Sequence, residues 1–155
     1  MTLKQHLIVS TVVGLGFGWF FHSWSAGLYS WLIGWAIDLD HLIDYFIYLI
    51  HFEKKFSIKM FFSGKYFDQM GKIFVIYHSW EYSLISIIFY YATDIPISII
   101  FSVTFSYILH LYLDVIAYKS KFRAYSLLYR LSVKFDKNKI CAKQYEATCV
   151  SDYYY

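Results

Sequence analysis

Proline occurs once in the 155 residues, at Pro96, and glycine only seven times. That scarcity excludes long disordered linkers and fits a single domain. Charge is scarce too, at 16% of residues, against about 25% in an average soluble domain. The net charge of +3 is small, and no basic stripe interleaved with aromatics is present, so no nucleic-acid partner is expected. Cysteine appears twice, at Cys141 and Cys149, without CxxC spacing. Both are read as free cytoplasmic thiols.

Apolar residues fill the space left by these absences: 59% of the chain is hydrophobic and 24% aromatic. Four apolar segments stand out, over residues 7–21, 28–50, 73–92 and 95–118. A membrane-spanning helix needs about 20 residues. The runs are too long for strands and lack strict alternation. The first follows a short charged start and is read as a retained membrane helix, not a cleaved signal. The fold expected is therefore all-α: an integral membrane protein with four transmembrane helices. Residues 51–72, where lysines mix with Phe56, Met60, Phe61, Phe62 and Phe67, are expected to form an interfacial amphipathic segment. Residues 1–118 would then be one transmembrane domain, and 119–155 a basic cytoplasmic tail.

The lysines and arginines orient this arrangement. One precedes the first segment, five lie between the second and third, and eight follow the fourth. The other two connections carry none. Four spans place every basic region on one face, which the positive-inside rule assigns to the cytoplasm. The expected location is the inner membrane, with both termini cytoplasmic and membrane lipids as partners.

Ionisable residues interrupt the apolar runs, and inside a membrane each is a functional-site hypothesis. The stretch "IGWAIDLDHLIDYF" holds Asp38, Asp40, His41 and Asp44. On a helix, Asp40, His41 and Asp44 fall within about 100° of arc, and Asp38 extends this to about 160°. Three carboxylates so close must protonate or hold a cation. Asp38 either joins them or caps a helix after a short break. In the third segment His78 and Glu81 are three apart; in the fourth His110 and Asp114 are four apart, so each pair would share a helix face. His6 lies at the cytoplasmic edge of the first segment.

Depth brings these groups together. Counted from the basic ends at about 1.5 Å per residue, Asp44 lies roughly 9 Å in, Asp40 15 Å, His78 9 Å, His110 13 Å and Asp114 8 Å. One layer in the cytoplasmic half of the bilayer is predicted to hold side chains from four helices. A mixed histidine and carboxylate set suits a divalent metal such as zinc, manganese or iron. The absence of cysteine from the spans excludes a zinc–thiolate site. His22 and His51 are read as interfacial and solvated, while Tyr77, Trp80 and Tyr82 are placed to wall the site.

Taken in order, "QHL", "DLDHLID", "HSWEYSL" and "HLYLD" resemble the membrane-bound metal-dependent hydrolases of bacterial inner membranes, which are distantly similar to zinc-dependent phospholipase C. The resemblance covers residues 6–114. Residue by residue it carries over to His6, Asp38, Asp40, His41, His78, Ser79, His110 and Asp114. Here Ile37 stands where the family has proline, and "VIYHS" lacks the first histidine and the arginine of the family's block. The resemblance implies a metal-dependent hydrolase of an ester or phosphoester, with a small-molecule or lipid substrate at the cytoplasmic face. Metal ligands would be drawn from His6, Asp38, Asp40, His41, His78, His110 and Asp114. Asp44 or Glu81 would serve as general base or hold a ligand in place. Two rival readings are a metal or proton carrier and a structural bundle stapled by metal. The outer halves of the segments offer only small hydroxyls, which disfavours a carrier's through-path.

Overall fold

Ser23 closes the first turn between helices: its Oγ accepts from the Ala26 N–H at 3.3 Å and starts a new helix. In the computed structural model, which describes residues 3–141, this turn joins α1 (Leu3–Phe20) to α2 (Trp24–Ala36). A 3₁₀ turn, Ile37–Leu39, leads into α3 (Asp40–His51). Two short helices follow, α4 (Ile58–Ser63) and α5 (Lys65–Met70). After a non-helical stretch come α6 (Glu81–Ala92) and α7 (Ile97–Ala117), the latter opened by Pro96, whose fixed φ suits a helix start. A 3₁₀ turn (Phe122–Tyr125), α8 (Leu127–Ser132) and α9 (Lys137–Ile140) complete the described chain. The all-α expectation holds: no strand forms among the described residues, where Lys72 and Asp136 make an isolated bridge.

Among the described residues, three of the four expected spans are not matched by a helix long and apolar enough to cross a membrane, and two of them are interrupted. The second is not continuous, because the chain turns at Ile37–Leu39. The third is helical only from Glu81. At about 1.5 Å per residue, 13-residue α2 and 12-residue α6 each cover about 20 Å or less, short of a ~30 Å hydrocarbon core. Among the described residues α7 alone is long and apolar enough to cross a membrane, a test that buried core helices also pass.

Small residues set the close packing of α1, α2 and α7. A Cβ on Gly27 would stand 2.7 Å from the Gly14 carbonyl oxygen and 3.0 Å from Gly18 Cα. Ser30 and Ser106 share a hydrogen bond of 2.6 Å, and Ser102 Oγ donates to the Ala26 carbonyl at 3.1 Å. Along this seam small polar side chains lie inside and large aromatic ones outside. Ser10, Ser30, Ser102 and Ser106 are buried, whereas Trp24 is 87% exposed and Trp19 78%. Gly34 faces Ser10, where a Cβ would lie 2.9 Å from the serine's own Cβ. Gly34→Ala is expected to force α1 and α2 apart at a cost of about 1–3 kcal/mol. Gly16→Ala, which meets nothing within 4 Å, should be neutral or stabilising. Thermal unfolding of the two variants in detergent checks the contrast, and equal midpoints would refute it.

The segment after Tyr118 does not project as a tail. Through residue 141 it folds back on the body, burying Arg130, Lys137, Ile140 and Cys141. Lys137 pairs there with Asp68. The expected tail's remainder, with Cys149, lies outside the described residues.

Candidate metal centre

Five elements converge at one end of the helices. α1 supplies His6, the 3₁₀ turn Asp38, α3 His41, the stretch before α6 His78, and α7 both His110 and Asp114. The i,i+4 spacing puts His110 and Asp114 on one face of α7, with Nε2 and Oδ2 3.4 Å apart. His6 stacks on His110, ring centroids 4.0 Å apart, and its Nε2 lies 3.0 Å from Asp114 Oδ1.

Asp38 resolves in favour of the cluster. It makes no side-chain cap on α3. Its Oδ1 lies 3.3 Å from His78 Nε2, 3.5 Å from His110 Nε2 and 3.9 Å from His41 Nε2. The break in the second apolar segment is what aims it there, between two helix axes.

Donor atoms fall into two groups, each within 4.8 Å of one another: His6, Asp38, His110 and Asp114, and Asp38, His41 and His78. Asp38 belongs to both. Zinc bonds of about 2.1 Å in tetrahedral geometry separate neighbouring donors by about 3.4 Å, and the histidine–carboxylate pairs in contact within these groups lie 3.0 to 3.9 Å apart.

Two imidazoles present Nε2 to the cluster. His110 Nδ1 lies 2.8 Å from the Gly34 carbonyl oxygen, which can only accept, so Nδ1 carries the proton and Nε2 faces the cluster. His78 Nδ1 lies 3.0 Å from Asp40 Oδ2, with the same result. The two Nε2 atoms then meet at 3.3 Å. Lone pairs so placed need a proton or a cation between them. The residues thus fit a divalent ion.

Of the seven metal residues expected, six are brought together; Asp40 is not. It stands behind His78, accepting from the ring and from the Tyr77 N–H at 2.9 Å. Asp44 lies further back, its carboxylate accepting from Phe74 N–H at 3.3 Å and Val75 N–H at 3.0 Å. Glu81 is not in the centre. Its carboxylate accepts from Ser126 Oγ at 2.5 Å and from the amides of Leu127 and Leu128 at the start of α8. His78 and Glu81 share no helix face, because residues 73–80 are not helical. Tyr77 and Tyr82 line a separate groove, and Trp80 stacks on Phe122. His22 and His51 are exposed, as expected.

The stretch carrying His78 stays open because other elements meet its backbone polar groups. Asp44 and Asp40 take its amides. The Tyr107 hydroxyl lies 2.5 Å from Tyr77 O and 2.7 Å from Ser79 O. Arg130 donates to Phe74 O at 2.8 Å, to Val75 O and Ser79 Oγ at 2.5 Å, and to His78 O. Burial lowers the Arg130 pKa and the Asp40 charge opposes the shift; an arginine so placed stays protonated. Arg130 and Tyr107 were not among the expected site residues. Arg130 counts in the sequence as one more basic residue of the tail, and only its apolar setting, "YSLLYRLSVKF", marks it.

No protein-family model, curated protein or solved structure matches this chain.

Proposed function

We propose that the chain is a membrane-embedded hydrolase that uses divalent metal, zinc by preference with manganese or iron as alternatives, to cleave an ester or phosphoester at the cytoplasmic face. The observation that carries this reading is the pair of ligand groups sharing Asp38. His6, His110 and Asp114 would hold one ion, His41 and His78 a second, with Asp38 between. Bound metal supplies a water of lowered pKa and polarises the scissile bond. The chain's residues do the rest: Gly34 and Asp40 fix the tautomers of His110 and His78, while Asp44 and Arg130 fix the stretch that presents His78.

Membrane placement draws on the seam of α1, α2 and α7, where small and polar residues lie inside and Trp19 and Trp24 outside, the pattern of helices packed in lipid. The four apolar segments and the one-sided lysines support a multi-pass arrangement with both termini cytoplasmic. Non-helical backbone such as residues 73–80 is tolerated at membrane depth where protein buries it. An apolar groove of about 750 Å³ between α2, α6 and α7 includes in its lining Ile37 and Tyr77, the chain neighbours of Asp38 and His78. It would suit the chain of an amphiphilic substrate.

The test starts from membranes washed with alkaline carbonate, extracted in detergent and analysed for metals. Stoichiometric metal is expected in the wild type and a sharp loss in His110→Ala. Wild-type protein without metal, or protein released by the wash, would sink the reading. Full metal with no hydrolysis of ester and phosphoester panels would favour the structural staple.

A further inference from the structure

Beside His41 and His78, on the side covered by the folded-back segment, lies a second cavity of about 50 Å³. Its walls include Ser120, Tyr125, Arg130 and Cys141. A water needs about 10–15 Å³ measured this way, so there is room for a few oxygen atoms. The four hydrogen bonds of Arg130 go to neutral oxygens, three carbonyls and a hydroxyl. Arg130 is 1% exposed, and its Nε has no hydrogen-bond partner among the described residues. Ser120 Oγ is buried and equally unpartnered. A desolvated cation and a buried hydroxyl donor each carry a cost until an acceptor arrives.

We infer that this cavity seats the anionic phosphoryl group of the substrate, with Arg130 Nε and Ser120 Oγ as donors, so that the bond cleaved is a phosphoester. A phosphoryl group brings charge and several acceptor oxygens to a guanidinium, the pairing arginine suits best. Asp40 and Asp44 act on Arg130 from a distance, but no carboxylate among the described residues hydrogen-bonds it, and a neutral carboxylic ester would add no charge at its Nε. The choice of substrate class rests on the hydrolytic reading above; the anion subsite itself needs no metal.

Because Arg130 also holds residues 74–79, Ser120 carries the test. Binding of labelled inorganic phosphate is measured on the detergent-purified chain, with and without metal, for wild type, Ser120→Asp and Ser120→Asn. Saturable binding is expected in the wild type. The aspartate variant should bind at least ~10-fold more weakly than the asparagine variant, because it sets like charge against the ligand, with metal content equal in both. No saturable binding, or equal binding by the two variants, overturns the subsite. Charge-sensitive phosphate binding by a chain that takes up no metal keeps the subsite and overturns the hydrolase; loss of both overturns both. Competition by glycerol phosphate and by its acylated counterpart separates sources. Tighter competition by the acylated form marks a lipid phosphoester, equal competition a soluble one, and either supports the subsite.

Discussion

Under the two-ion proposal, Asp38→Asn is expected to release both metal ions, where His6→Ala and His41→Ala each release one. Asp38 is the side chain common to the two donor groups. Its Oδ1 sits between three imidazoles, and only Asp114 among the other members of these groups brings negative charge. Asparagine keeps the volume and removes the charge. Replacing a partner that merely orients a ligand already costs about 10–100-fold in affinity, so losing a shared carboxylate should exceed 100-fold at each position. Metal-to-protein ratios after dialysis check the pattern: near two for wild type, near one for each histidine variant and near zero for Asp38→Asn. An Asp38→Asn protein that keeps one ion would show that the carboxylate is not shared.

Arg130→Ala should loosen one half of the centre and spare the other. The guanidinium meets the carbonyls of Phe74, Val75 and His78 together with Ser79 Oγ. Removing it leaves these acceptors buried without it, and the Asp44 carboxylate loses a nearby cation. A cost of about 3–5 kcal/mol is expected, the scale for breaking a buried charged network. That cost should appear locally, as faster hydrogen exchange at the amides of residues 74–79. The ion held by His41 and His78 should be lost, while that held by His6, His110 and Asp114 remains. Unchanged exchange at these amides would refute the role. Simultaneous loss of both ions would show that the damage is global.

The candidate ligands were legible because charge in an apolar run has few inexpensive explanations, and i,i+4 spacing on a true helix such as α7 fixes a shared face. Asp38 was legible as a candidate but not as a bridge. Its role depends on the break after Ala36, which a helical reading of 28–50 smooths over. Residues 73–80 were misread as helix because a run of β-branched and aromatic residues fits several conformations. What decides is the set of partners for its amides and carbonyls: Asp40 and Asp44 more than 28 positions before, Tyr107 and Arg130 28 or more after. Local pattern carries no trace of partners so distant. The same distance hid Glu81's engagement with Ser126, 45 residues on.

His6 and Asp114 are 108 residues apart, yet they touch. A ribosome adding about 5–20 residues per second delivers the aspartate roughly 5–20 s after the histidine. Arg130, which steadies His78, emerges later still. The helices that carry the first ligands must therefore wait as an incomplete pocket while the rest of the chain is made. The donor group of His6, Asp38, His110 and Asp114 is complete only once α7 has been made, whereas Asp38, His41 and His78 are all present earlier, so a chain truncated before Asp114 is expected to keep the second group and lack the first.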